Sequence, residues 1–160
     1  MLIKFDKFID SLDDIKEFKF TDPIDAFCLL IFAICNYEKN KDIFYEMLKK
    51  ATNTDNISEN LKQKIDEQLT KNNKQSYIGN SYFYGTTREN NYTPFKPYTL
   101  EIVEGPYAYQ NEGYATLHIK SSGADLPRPV TFEKTKDNKW YATPDSIFSL
   151  IKDIKRPKSK

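Results

Sequence analysis

Apolar residues recur along this chain with two different periods, and the change from one to the other divides it. Phe5, Phe8, Ile9, Leu12 and Ile15 fall three or four apart with Asp and Lys between them, which predicts a short amphipathic helix over residues 6 to 18. Thr21-Asp22-Pro23-Ile24-Asp25 then supplies a capping residue, a proline at the first helical position and a first-turn carboxylate. From Ala26 to Tyr37 the pattern is apolar nearly all round, so the helix opened there is predicted to be central and buried. Asn40 or Asp42 opens a further helix carrying Ile43, Phe44, Met47 and Leu48, with Lys49 and Lys50 at its carbonyl end. Asn56 followed three residues later by Glu59 reads as a capping box, ahead of a narrow stripe of Leu61, Ile65 and Leu69.

Beyond Asn72-Asn73-Lys74-Gln75 the period shortens to two and Tyr, Thr, Gly and Pro replace the helix formers. Ala115, Leu117 and Ile119 alternate with Thr116, His118 and Lys120, a strand with one wet face that carries His118 outward. Ser121-Ser122-Gly123-Ala124-Asp125-Leu126-Pro127 forms a corner. Val130 and Phe132 resume the alternation, Asp137-Asn138 offers a tight turn, and Trp140 with Tyr141 begins the returning strand. Strands are predicted at residues 81–84, 98–103, 114–120, 130–134 and 140–142. Pro144-Asp145-Ser146 starts a last short helix carrying Ile147, Phe148, Leu150, Ile151 and Ile154.

Helices followed by strands predict an α+β fold in a single domain. An N-terminal half of three to four helices (1–72) packs on a C-terminal antiparallel, strongly bent sheet or small barrel of about five strands (76–142). A C-terminal helix (144–154) and a flexible basic tail (155–160) complete it. Trp140 is read as the core plug, the alternative being a stacking platform for a ligand.

Charge adds little: 24 Lys and Arg face 23 Asp and Glu, so no net field draws the domain to nucleic acid. Cys28 and Cys35 lie two turns apart on one helix, about 10 Å, and cannot pair with each other. Buried thiols, a start unlike a signal peptide and no apolar run near the ~20 residues of a membrane span point to a cytoplasmic protein. One His, no Cys-His spacing and no glycine-rich phosphate loop leave the usual catalytic and metal constellations without residues, and no cofactor is expected. The unusual feature is aromatic. Eight of the 11 tyrosines fall between Tyr77 and Tyr114, among Pro and Asn. Such rings give low-entropy contact area in loops, and can equally anchor long loops to a sheet. Candidate binding residues are therefore Tyr107, Tyr109, Glu112, Tyr114, Asp125, Arg128 and Trp140, with Asp125 and Arg128 read as an ion pair clasping the corner, the alternative being an Arg128 fork presented to a carboxylate or phosphate.

Ser81-Tyr82-Phe83, Asn90-Asn91-Tyr92-Thr93-Pro94, Tyr109-Gln110-Asn111-Glu112-Gly113-Tyr114, Ser121-Ser122-Gly123-Ala124-Asp125, Pro127-Arg128, Trp140 and Ile154-Lys155-Arg156-Pro157 together resemble a family of bacterial proteins, a domain of unknown function. The resemblance is dense from about Ser81 to Pro157 and looser over the helices. It implies a compact bacterial domain and carries no activity, ligand or partner. The leading expectation is a non-enzymatic module that binds another protein, or itself, through the Tyr-rich loops and the Gly-Ala-Asp corner. The alternative is a small-molecule or saccharide binder with a pocket between helices and curved sheet near Trp140.

Overall fold

The structure, a computed structural model, describes residues 1–158. Its axis is helix α1 (Pro23–Asn36). The Asp22 carboxylate accepts the Ile24 N–H at 2.8 Å, and Pro23 occupies a position where no amide donor is needed. Phe27, Leu29, Leu30, Ile31, Phe32 and Ile34 leave this helix on every side, and all are buried. Helix α2 (Lys41–Thr52) is capped by Asn40 and lies against α1. Helix α3 (Glu59–Thr70) starts at Ser58, whose hydroxyl accepts the Leu61 N–H at 3.1 Å, so Ser58 and not Asn56 is the cap.

Five antiparallel strands, β1 (Leu2–Phe5), β2 (Tyr98–Val103), β3 (Tyr114–Ile119), β4 (Arg128–Lys134) and β5 (Trp140–Ala142), follow one another in that spatial order and curl into a half-barrel. The alternation predicted for β3 and β4 is present: Ala115, Leu117, Ile119, Val130 and Phe132 are buried, while Thr116 and His118 lie half-buried on the outer face. Buried residues of both halves form one hydrophobic cluster. Asn138, at a φ of 62°, turns the β4–β5 hairpin. Helix α4 (Ile147–Ile151) closes the chain, shorter than the predicted 144–154, with a 3-10 turn over Pro144–Ser146 ahead of it. Among the described residues no helix is long and apolar enough to cross a membrane.

Three local readings give way to tertiary contacts. Residues 6–18 form no α-helix, only a 3-10 turn at Asp13–Ile15, and the residues before them pair with β2 as β1. Side chains take the backbone partners that a helix would need. Asp14 accepts the Asp10 N–H at 3.1 Å, and the Asn36 amide on α1 donates to the Ile9 carbonyl at 2.9 Å. The apolar spacing still serves packing: Phe5 and Phe8 meet Phe32 edge-on at 5.0 and 5.2 Å. Residues 81–84 are not a strand either. Gly79–Tyr82 is a 3-10 turn, followed by a single bridge from Phe83 to Leu100. Finally, the tail is held as far as Lys158. The Lys155 N–H donates to the Gly123 carbonyl at 2.9 Å, the Lys158 N–H to the Arg88 carbonyl at 3.0 Å, and Ile154 is buried. The last two residues of the predicted flexible tail lie outside the described residues.

Candidate functional site

The fold divides the tyrosines that the sequence groups together. Tyr77, Tyr82 and Tyr92 are buried; the Tyr82 hydroxyl donates to the Leu150 carbonyl, and that of Tyr92 to the Lys155 carbonyl at 2.7 Å. These rings anchor loops. Tyr84, ahead of β2, is 61% exposed, and Tyr107, Tyr109 and Tyr114 remain 75%, 45% and 48% exposed. The latter three stand on or beside the connection between β2 and β3. Its turns are closed by backbone bonds from Ala108 to Gly105, Gln110 to Tyr107 and Tyr114 to Asn111. The Ala108 carbonyl accepts the Thr116 N–H at 2.9 Å, laying the loop along β3, with Ala108 turned inward between two outward tyrosines.

Tyr109 meets Trp140 edge-on at 5.8 Å, and the Lys134 ammonium sits over the indole at 5.8 Å. Trp140 is half-buried and is not the core plug. The register explains this: Ala142 is the β5 residue that sits beside Phe132 on the core face of the sheet, whereas Trp140 pairs with Lys134 at the mouth of the hairpin. Phe27, Phe32 and Phe132 fill the interior instead. Burial, then the nearby charges of Glu104 and Asp22, raise the Tyr109 phenol above its ordinary pKa. Glu104, Glu112 and Glu133 are exposed around this surface and form no ion pair among the described residues.

Asp125 and Arg128 lie elsewhere. Tyr114 opens β3 and the Gly-Ala-Asp corner follows its last residue, so the strand holds the two about 17 Å apart. The expected Asp125–Arg128 pair does not form. Arg128 donates to the carbonyls of Ser149, Lys152 and Asp153 at 3.2, 2.6 and 3.1 Å, because the end of α4 exposes acceptors that a planar fork of donors fits. Asp125 pairs with Lys155 at 2.7 Å. Within the corner, Gly123 has no room for a side chain: a Cβ there would come 2.6 Å from the Tyr92 hydroxyl and 2.7 Å from Ile154 Cγ2.

Of five clefts among the described residues, none is lined by Trp140. A cleft of about 560 Å³ opens between the segment 12–20 and the end of α2, and Tyr141, the neighbour of Trp140, is the one lining residue it takes from the sheet. It has Leu12, Phe18 and Phe20 on one wall and Glu46, Lys49 and Asn53 on the other. Phe20, stacked on Tyr141 at 5.1 Å, has a φ of 57°, a left-handed backbone that a bulky residue rarely adopts. The conformation is held from both sides. Asp25 accepts the N–H groups of Lys19 and Phe20, and the Phe20 carbonyl accepts the Trp140 N–H at 2.8 Å. Nothing in the sequence pattern singles out Phe20, since its conformation depends on β5, 120 residues further on.

A family model described as Domain of unknown function (DUF6935) matches residues 4–158. The chain belongs to this family. The match runs from β1 to the C-terminal segment, so the DUF6935 unit comprises both the helical half and the sheet. In this DUF6935 chain Tyr92, Gly123, Arg128 and Ile154 knot the corner to the tail, and these residues belong to the motifs quoted above. No curated protein and no solved structure matches the chain.

Proposed function

We propose that this protein is a non-enzymatic interaction module that docks a partner protein on Tyr107, Tyr109 and Tyr114 beside Trp140. The observation that carries this reading is the division of the tyrosines: Tyr77, Tyr82 and Tyr92 are buried, whereas Tyr107 and Tyr109 are held outward on a loop bonded to β3 and Tyr114 is exposed at the first residue of that strand. Such rings present apolar area with few rotatable bonds and suit the centre of an interface. The unpaired carboxylates of Glu104, Glu112 and Glu133 around them favour a partner segment carrying Lys or Arg, whose cations also stack on aromatic faces.

The test places a benzoylphenylalanine photo-crosslinker at Tyr107, with the exposed Lys64 on α3 as control position. Illumination in cells is expected to give a discrete adduct from position 107, absent from position 64 and lost in a Tyr114→Ala background. Identical adduct patterns from both positions, or none from 107, would overturn the proposal.

A second reading, a small-molecule binder, is favoured by the cleft beside Tyr141. Its volume falls within the usual range for ligand pockets, and backbone strain of the kind at Phe20 is concentrated at functional sites. A ligand there is expected to change the fluorescence of the adjacent Trp140 and to lose affinity in Phe20→Ala. A broad metabolite panel that leaves the emission unmoved would count against it.

A further inference from the structure

The surface that joins α3 to the C-terminal segment carries a polar cleft of about 340 Å³, lined by Asn72, Asn73, Ser76, Tyr77, Arg156 and Pro157. The lining contains a guanidinium, a phenol and two amides but no carboxylate. Tyr77 stands out within it. Its residue is 6% exposed, its ring stacks on Tyr92 at 5.9 Å, and its hydroxyl has no hydrogen-bond partner. Tyr82 and Tyr92, more deeply buried, each donate to a carbonyl, whereas the Tyr77 hydroxyl, like the nearby Gln75 Oε1, is left unpaired, against the general rule that buried polar groups are satisfied.

Arg156 is the second departure. The neighbouring cations are paired, Lys155 with Asp125 at 2.7 Å and Lys158 with Glu89 at 2.8 Å, whereas the exposed Arg156 guanidinium has no partner among the described residues. Its backbone is fixed. The Arg88 Nε donates to the Arg156 carbonyl at 2.7 Å and the Tyr92 hydroxyl to that of Lys155, leaving only the side chain to move. Burial raises the Tyr77 hydroxyl above its ordinary pKa, and the charge of Arg156 offsets part of that rise. Asn72 and Asn73, both at a φ of 59°, hold the chain in a tight left-handed bend along the rim.

We propose that this cleft is an oxyanion site that binds the phosphate or carboxylate group of a small molecule, with the Arg156 fork gripping two oxygens and the Tyr77 O–H donating to one of them. An anion supplies the acceptor that Tyr77 lacks and the counter-charge that Arg156 lacks, and both groups line one cavity. The hydroxyl is closed to solvent in this arrangement, so binding has to uncover it by a local side-chain movement. The site lies apart from the aromatic surface and does not depend on it.

Inorganic phosphate and citrate, titrated at matched ionic strength into the full-length protein, are the probes; thermal shift and calorimetry are the readouts. Wild type is expected to show a saturable stabilisation with at least one of them, and which one identifies the anion class. Tyr77→Phe is expected to melt no lower than wild type by itself, since it removes an unpaired hydroxyl, and to weaken binding at least 10-fold. Arg156→Gln should abolish binding, Arg156→Lys restore part of it, and Lys152→Gln leave it intact. The proposal falls if neither probe gives a saturable response, or if Tyr77→Phe and Arg156→Gln bind as wild type does. A lower melting temperature for Tyr77→Phe alone would show that the hydroxyl is already paired, and would equally overturn it.

Discussion

Replacing Arg128 by Gln should destabilise the protein rather than disarm it. The side chain makes three hydrogen bonds to carbonyls at and beyond the end of α4, with Ser149, Lys152 and Asp153. A hydrogen bond to a charged group contributes about 1.5–3 kcal/mol when well shielded. Two of the three lie in exposed surroundings, so about 1 kcal/mol each is the fitting magnitude, or about 3 kcal/mol together. Gln reaches at most one of the three acceptors and carries no charge for the carbonyl end of the helix. At about 2–4 °C per kcal/mol for a chain of this size, the melting temperature should fall by about 6–12 °C. Arg128→Lys keeps the charge but not the fork and should recover less than half of the loss. Urea unfolding followed by far-ultraviolet circular dichroism reads both variants. A change below about 0.5 kcal/mol in Arg128→Gln would refute the capping role and return the guanidinium to the list of groups free to bind a ligand.

Gly79→Ala should cost about 3 kcal/mol or prevent folding, because its Cβ would come 2.8 Å from the Cys35 backbone nitrogen on the buried helix α1, while Gly105→Ala, with nothing within 4 Å, should be neutral in the same urea titration. Ile154→Ala removes the apolar plug under the corner and should cost about 2–4 kcal/mol; an unchanged midpoint would show that the tail does not contribute to the core. The acid limb of stability should track two carboxylates. The Lys7 ammonium beside Asp14 holds its carboxyl down at about 2. Burial pushes Asp66 up, but hydrogen bonds from Tyr37, Lys41 and Tyr45 outweigh it and keep Asp66 below its ordinary value. Both folded pKa values are depressed, so their contribution is in place above about pH 4 and lost as the pH falls toward 2; Asp14→Asn with Asp66→Asn should flatten that slope in a urea midpoint series. Burial and the Asp66 charge raise the Tyr37 and Tyr45 phenols, so stability should hold below about pH 10 and decline above it, a decline weakened in Tyr45→Phe.

Much of the architecture is local in origin and was legible. Asp22-Pro23 fixes the start of α1 whatever surrounds it, and an apolar pattern all round the following turns leaves that helix no wet face, hence its place at the centre. The period-two alternation of β3 and β4 selects the inner rows in the same way, since successive side chains of a strand must point to opposite faces. Spacing failed where two structures share it. Phe8, Ile9 and Leu12 suit a helix and equally suit an irregular segment packed on α1, and tertiary contacts decide between them: the pairing of β1 with β2 and the bond from Asn36 to Ile9.

The candidate site follows the same division. That tyrosines between residues 77 and 114 were unusual is a property of composition, and the sequence alone determined it. Which of them turn outward was decided by partners far along the chain: the Leu150 carbonyl, 68 residues away, holds Tyr82, and the Lys155 carbonyl, 63 residues away, holds Tyr92. Arg128 likewise takes its acceptors from the end of α4 and not from Asp125 three positions before it. A repeat period is written in neighbouring residues, so it survives without the fold; a hydrogen-bond partner 60 residues distant exists only once the half-barrel has closed over α1.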